Sequence, residues 1–170
     1  SETPRISPKS LDPTLKNYMW RDFTRGMFEA LDKQADTAIL LDQEGYLTEG
    51  AGFNVFIVKG TEVLTPDRGA LEGVTRLSVL DLCPELGLEG KIAPITYQDI
   101  MDADEVFTAT TAGGVMPCAR VDGKIYGNDR PGPISSKIKD LYWQKHKDGW
   151  HMTPINYADA ENPFLVPAEA

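Results

Sequence analysis

Residues 37–66 limit the fold more than any other part of this 170-residue chain. The runs TAILLD (37–42), YLTEG (46–50) and NVFIVKGTEVLTP (54–66) are rich in β-branched and large apolar side chains, and Gln43-Glu44-Gly45 and Lys59-Gly60 interrupt them as turn signals. Runs this short, joined by turns this tight, predict a meander of antiparallel strands. Such a sheet needs a cover for its apolar face, and the flanking segments supply helices. Tyr18, Trp20, Phe23, Met27, Phe28 and Leu31 recur at three- and four-residue spacings, which predicts a helix of about four turns from Asn17 with these residues on one buried face. EGVTRLSVLDLCPELG (72–87) predicts a helix opening near Thr75 and ended by Pro84 and Gly87. Thr96-Tyr97-Gln98-Asp99 reads as a capping box opening a short helix to Ala103. Residues 105–126 return to strand character, broken at Gly113-Gly114, and 131–147 form a last amphipathic helix with Pro133 at its start. Helices and strands segregated in this way predict the α+β class, with residues 1–148 as one domain and 149–170 as a polar, loosely ordered tail.

Several functions are excluded by charge and hydropathy. A net charge of −9 and a pI near 4.7 argue against a nucleic-acid partner or an anionic membrane surface, because phosphate backbones need a basic face. No apolar run is long enough to span a bilayer, and SETPRISPKS lacks the apolar stretch of a secretory signal, so a soluble, cytoplasmic protein is expected. Cys83 and Cys118 have neither CxxC spacing nor a cysteine-rich framework and read as buried free thiols. His146 and His151 are too few and too badly placed for a metal site or a Ser/His/Asp triad, and no metal is expected. Trp20 and Trp143 read as packing residues, and Arg76 and Arg120 as surface residues.

Chemistry concentrates in a lysine and three turns. Lys16 stands between a proline-containing turn and the aromatic-rich helix. TEGAGFN (48–54) sets Glu49 beside Gly50 and Gly52 at a strand edge, where backbone can approach a ligand. EGVTR (72–76) puts Gly73 and Val74 at a helix start, where free amides and the helix dipole favour a phosphate. TATTAGG (108–114) adds the hydroxyls of Thr110 and Thr111 beside a glycine pair. Each has an ordinary structural explanation: a solvated lysine, a surface glutamate, an N-cap by Thr75, strand threonines. Together, a nucleophilic amine, a carboxylate in a glycine-lined turn and two phosphate-friendly turns are what a pyridoxal phosphate site needs.

The order and wording of LDPTLKN, LLDQEGYLTEGAGFNVFIV, LEGVTRLSVL, DADEVFTATTAGGVMP and VDGKIYGNDRPGP resemble the large domain of the fold-type IV pyridoxal phosphate enzymes, over residues 3–145. That family includes branched-chain and D-amino-acid aminotransferases and aminodeoxychorismate lyase. The resemblance implies a barrel-like antiparallel sheet flanked by helices and pyridoxal 5'-phosphate as cofactor. It implies Lys16 as the Schiff-base lysine and Glu49 as partner of the pyridine nitrogen, with Asn54 supporting the Glu49 turn and Leu71 packing on the ring. Gly73, Thr75, the Val74 amide and Thr111, with Thr110 adjacent, would hold the phosphate. Phe53, Thr111 and Ala112 would line the substrate pocket.

Within the family, Phe53 stands where branched-chain enzymes typically carry a glutamate. With TTAGGVMP it looks like the (R)-selective amine transaminases, which exchange an amino group between a chiral amine and a keto acid such as pyruvate. The branched-chain, D-amino-acid and lyase activities are the alternatives, and a non-catalytic binding domain of the same fold is a further one. To act as a base near neutrality, the Lys16 amine must be held neutral, which burial and a neighbouring electrophile favour. Family members are about twice this long and carry a smaller N-terminal domain that supplies a phosphate-binding arginine and one pocket wall. The resemblance therefore implies a fragment, a cleavage product or one of two chains, with the other half and a second copy as partners in a homodimer or higher oligomer.

Overall fold

The computed structural model describes residues 1–154. Their order is α1 (Arg21–Asp32), β1 (Ile39–Leu41), β2 (Leu47–Gly50), β3 (Phe53–Lys59), β4 (Glu62–Pro66), α2 (Val74–Leu82) and a 3-10 turn (Pro84–Leu86). There follow β5 (Glu89–Ala93), α3 (Tyr97–Asp102), β6 (Glu105–Thr110), β7 (Gly114–Cys118), the small β8 (Arg120–Val121) and β9 (Lys124–Ile125) pair, and α4 (Pro133–Lys147). The class is α+β. Of the expected tail, residues 155–170 lie outside the described residues. No helix among the described residues is long and apolar enough to cross a membrane.

The meander forms as expected: β1, β2, β3 and β4 pair antiparallel in sequence, and β6 adds to the other side of β3 with β7 beyond it. Strand β5 departs from this pattern by running parallel to β4. A parallel neighbour needs a crossover, and residues 67–88, with α2 in their middle, provide it. Just after β5 the chain returns to β2, where the Leu47 amide donates to the Ile95 carbonyl at 2.7 Å and Tyr46 bridges Thr96. Strands β2 to β5 thereby curl into a barrel-like ring around Leu47, Val55, Ile57, Ile95 and Val106. On the other face, Phe56 of β3 and Phe107 of β6 are cross-strand partners with stacked rings 4.8 Å apart, and α2 and α4 cover them with Val79, Leu82 and Ile138.

Helix α1 differs from expectation in both its start and its buried face. It begins at Arg21 because Asn17 competes for local backbone: its Oδ1 accepts from the Met19 amide at 2.9 Å and its Nδ2 donates to the Leu15 carbonyl at 2.8 Å, holding 15–19 in a turn. The face toward the protein is Asp22, Phe23, Gly26 and Ala30, whereas Tyr18 is fully exposed and Trp20, Phe28 and Leu31 face outward. Gly26 explains the choice, since a Cβ there would meet Leu40 Cδ1 at 2.9 Å; the helix closes on β1 where it has least side chain. Helix α3 opens with the expected capping box of Thr96 and Asp99. Helix α4 starts at Pro133, and its first turn is capped from β6 by Glu105, whose carboxylate accepts from the Ile134 and Ser135 amides at 2.8 Å each. Cys83 is buried as expected but Cys118 is only half-buried; burial pushes both thiols up to about 11, so neither is a ready nucleophile at neutral pH.

Candidate active site

The β2–β3 hairpin, the start of α2, the end of β6 and the loop before α1 meet at one cleft of about 320 Å³. Lys16, Glu49, Phe53, Asn54, Leu71, Gly73, Val74, Thr75, Thr110, Thr111 and Ala112 all line it, so residues spread over most of the sequence are brought to one place. Their burial varies. Glu49, Asn54 and Thr75 are buried, Phe53, Leu71, Gly73 and Thr110 half-buried, and Val74, Thr111 and Ala112 exposed. Lys16 is also exposed, so within this chain burial does not surround its amine as expected.

Glu49 sits at one side on β2, directly across from Asn54 on β3. One oxygen, Oε1, accepts from Arg5 Nη2 at 3.1 Å; the other, Oε2, accepts from the Leu71 amide at 2.9 Å and from Asn54 Nδ2 at 3.3 Å. Asn54 also donates to the Leu71 carbonyl at 2.9 Å, so it ties the carboxylate to the chain entering α2. Burial pushes the Glu49 carboxyl above its ordinary range, against the pull of the Leu71 amide and the Arg5 guanidinium. The hairpin turn needs its glycines. Gly52 has φ +79°, in the left-handed region, and a Cβ on Gly50 would lie 2.1 Å from Phe53 Cζ, so the Phe53 ring lies across Gly50.

The start of α2 sits at another side. Its N-cap is Gly73, with extended backbone and no side-chain cap, so Thr75 is not the cap but lies within the first turn. The first amide to find an intrahelical acceptor is that of Leu77, bonded to the Gly73 carbonyl at 3.0 Å. The amides of Val74, Thr75 and Arg76 before it have no backbone acceptor among the described residues, and they carry the positive end of the helix dipole. A Cβ on Gly73 would fall 2.2 Å from Asn54 Oδ1, which shows how tightly this turn closes on the Glu49 side.

Two arginines of this region escape sequence reasoning. Arg76, expected at the surface, is buried: Nε donates to Thr65 Oγ1 at 3.2 Å and Nη2 to the Pro66 carbonyl at 2.7 Å, so it adds a positive charge behind the α2 start. Arg5 is buried as well, bound to Asp22 at 2.6 Å as well as to Glu49, with its guanidinium 4.2 Å from the Phe23 ring centroid. Its sequence context, TPRISP, has no periodicity to mark it as interior. Trp20, read as a packing residue, instead stands at the cleft with its ring edge-on to Phe23 at 5.8 Å. Arg120 is at the surface as expected, paired with Asp129.

The chain resembles known proteins in both sequence and fold. Residues 1–121 match the family model described as amino-transferase class IV. A branched-chain-amino-acid aminotransferase of Pseudomonas aeruginosa is 40% identical over 116 residues, covering 68% of this chain and 38% of that protein. The crystal structure of a T.th. branched-chain amino acid aminotransferase with pyridoxamine 5'-phosphate superposes with a TM-score of 0.82 at 30% identity, covering 88% of this chain and 53% of that one. The branched-chain amino acid aminotransferase of Thermobaculum terrenum in its PLP form gives a TM-score of 0.82 at 33% identity, covering 88% and 50%. The chain thus spans about half the length, or less, of the relatives it matches. A family match over most of the chain, with likeness in both sequence and fold, identifies it as a member of the class IV amino-transferases.

Proposed function

We propose that this chain forms the cofactor-holding part of a pyridoxal 5'-phosphate-dependent aminotransferase. The observation that carries the reading is the pairing, in one cleft, of a buried, doubly anchored carboxylate with an uncapped helix start. The residues present fit the group. The free amides of Val74, Thr75 and Arg76 suit a phosphate, with the hydroxyls of Thr75, Thr110 and Thr111 beside them. Glu49, held at both oxygens, suits a protonated ring nitrogen, and Leu71 borders the space between. When bound, the cofactor supplies an aldehyde to accept the amino group and a ring that withdraws electrons from the reacting carbon. Lys16, which lines the cleft, would supply the amine that holds the aldehyde and, when free, the Nζ that would carry a proton at the reacting carbon. Glu49 would hold one orientation toward the ring, because the Leu71 amide, Asn54 and Arg5 bind both of its oxygens.

For the substrate, the names of the relatives support a branched-chain amino acid as donor, exchanging with a keto acid, more than an (R)-amine exchanging with pyruvate. The second reading is favoured by one feature: Phe53 and Trp20 give the cleft an apolar wall at the β2–β3 turn. The exposed rim at Leu15, Trp20 and Val74 supports a pocket completed by a further domain or a second copy.

The test is the visible absorbance of the purified protein with cofactor, before and after borohydride reduction, followed by mass mapping. Reduction is expected to fix the cofactor on Lys16, and Lys16→Ala to abolish turnover; steady-state transamination retained in that variant overturns the assignment. L-Leucine set against (R)-1-phenylethylamine as donor then separates the two substrate readings.

A further inference from the structure

Arg5 links two parts of the site through one side chain. Residues 6–20 form the irregular loop that carries Lys16, and the loop is closed at its base by Arg5, just before it, and Asp22, in the first turn of α1. Asp22 completes the closure by accepting from the Ile6 amide through Oδ2 at 2.8 Å and from the Phe23 amide through Oδ1 at 2.9 Å. The same guanidinium reaches Glu49 with Nη2 and the Gly69 carbonyl with Nε at 3.2 Å. Backbone pins the segment further, since the Arg5 amide donates to the Leu41 carbonyl at 2.8 Å and Pro4 bridges Leu41.

We propose that Arg5 is a positioning residue that sets the register of the Lys16 loop against Glu49 by binding Asp22 and Glu49 with one guanidinium. The planar fork is what makes this possible: two carboxylates on different elements are held at fixed angles by one rigid group, which an ammonium cannot imitate. The charges facing Glu49 are Arg5 from the N-terminal segment and Arg76 from α2, with Asp22 of α1 behind Arg5 and Lys16 on the loop lining the same cleft. Removing Arg5 leaves Glu49 buried with only Arg76 as a compensating charge, so its carboxyl protonates at higher pH and the loop loses its closing pair.

The role of Glu49 toward a cofactor rests on the function proposed above, so the test has one arm that needs no cofactor. In that arm, amide hydrogen exchange is followed in Arg5→Met, Arg5→Lys and Asp22→Asn. Arg5→Met is expected to speed exchange of the Ile6, Phe23 and Leu71 amides roughly ten- to a hundredfold, the worth of one hydrogen bond to a charged group, while amides of β3 keep their protection. Arg5→Lys restores either the Asp22 side or the Glu49 side but not both. In the second arm, the pH dependence of the bound-cofactor absorbance shifts its acidic limb upward in Arg5→Met, and added guanidinium returns it. Unchanged exchange at Ile6, Phe23 and Leu71 in Arg5→Met overturns the proposal, as does an Arg5→Lys variant protected at all three. If Arg5→Met loses β3 protection as well, Arg5→Lys and Asp22→Asn decide by the same amides. A protein that binds no cofactor while the exchange arm behaves as expected overturns the function and leaves the positioning role standing.

Discussion

At Glu49, charge and geometry can be separated by one substitution. Glu49→Gln keeps an oxygen able to accept from the Leu71 amide but removes the charge, and Arg5 and Arg76 are then left facing a neutral amide. Loss of one fixed charge at a reacting centre lowers turnover by about a hundredfold or more. The wild-type pH profile should show an acidic limb above the ordinary carboxylate range, because burial raises the Glu49 carboxyl and activity falls as it protonates. In Glu49→Gln that limb should be missing and the residual rate flat through it, with the far-ultraviolet dichroism unchanged; a limb that persists assigns it to another group. Lys16, Glu49 and the Gly73 turn are legible in sequence because each lies in a short local pattern of glycine, charge and helix start. Arg5 is not, because its partners Asp22 and Glu49 come from a different helix and a different strand, and only the folded chain brings them to it.

Among the elements, α3 shows a helix whose start is readable from sequence and whose tertiary anchor is not. Thr96 and Asp99 satisfy each other's backbone amides, and Asp99 Oδ1 also accepts from Lys59 Nζ of β3 at 2.7 Å. Lys59 above all, then the Thr96 hydroxyl and amide, pull the Asp99 carboxyl down to about 2. A depressed carboxyl stabilises the fold fully above its unfolded value of 3.8, and that contribution is lost as pH falls through about 2. The protection of the amides at the α3 start, taken relative to their intrinsic exchange rates, is therefore expected to fall on acidification from pH 4 to pH 2 in the wild type. Asp99→Asn should show reduced protection already at pH 7 and little further response; an identical acid response in both rules out this carboxylate as the source of the pH dependence. The buried face of α1 is misread from sequence for a related reason. Apolar spacing registers a stripe of large side chains, but the helix closes where Gly26 permits the approach to Leu40, so Phe23 turns inward while Tyr18, Phe28 and Leu31 face away.

On the scale of the whole molecule, the site rests on the sheet rather than on its own loops. β6 carries Thr110 to the cleft from one end while its middle residue, Phe107, stacks on Phe56 of β3, and β3 carries Asn54 to the same cleft from its own end. The antiparallel meander of β1 to β4 was readable from its turns. The return of the chain from β5 to β2 was not, since the Leu47–Ile95 contact joins runs far apart in sequence with no local mark. Phe107→Ala tests the dependence of the site on the core. Truncating a fully buried aromatic ring costs about 3–5 kcal/mol, a large share of the roughly 5–15 kcal/mol that holds a domain of this kind together. The void lies between the two strands, under α2 and α4, and not at the cleft wall. The denaturation midpoint should therefore fall steeply, while the surviving folded fraction, measured at low temperature, binds cofactor within about threefold of wild type, a change of under 1 kcal/mol. The Glu49→Gln variant should show the reverse, with an intact midpoint and lost turnover. A Phe107→Ala protein that is stable yet loses cofactor would mean that strain at the centre of β6 reaches Thr110, and that the sheet transmits displacement instead of absorbing it.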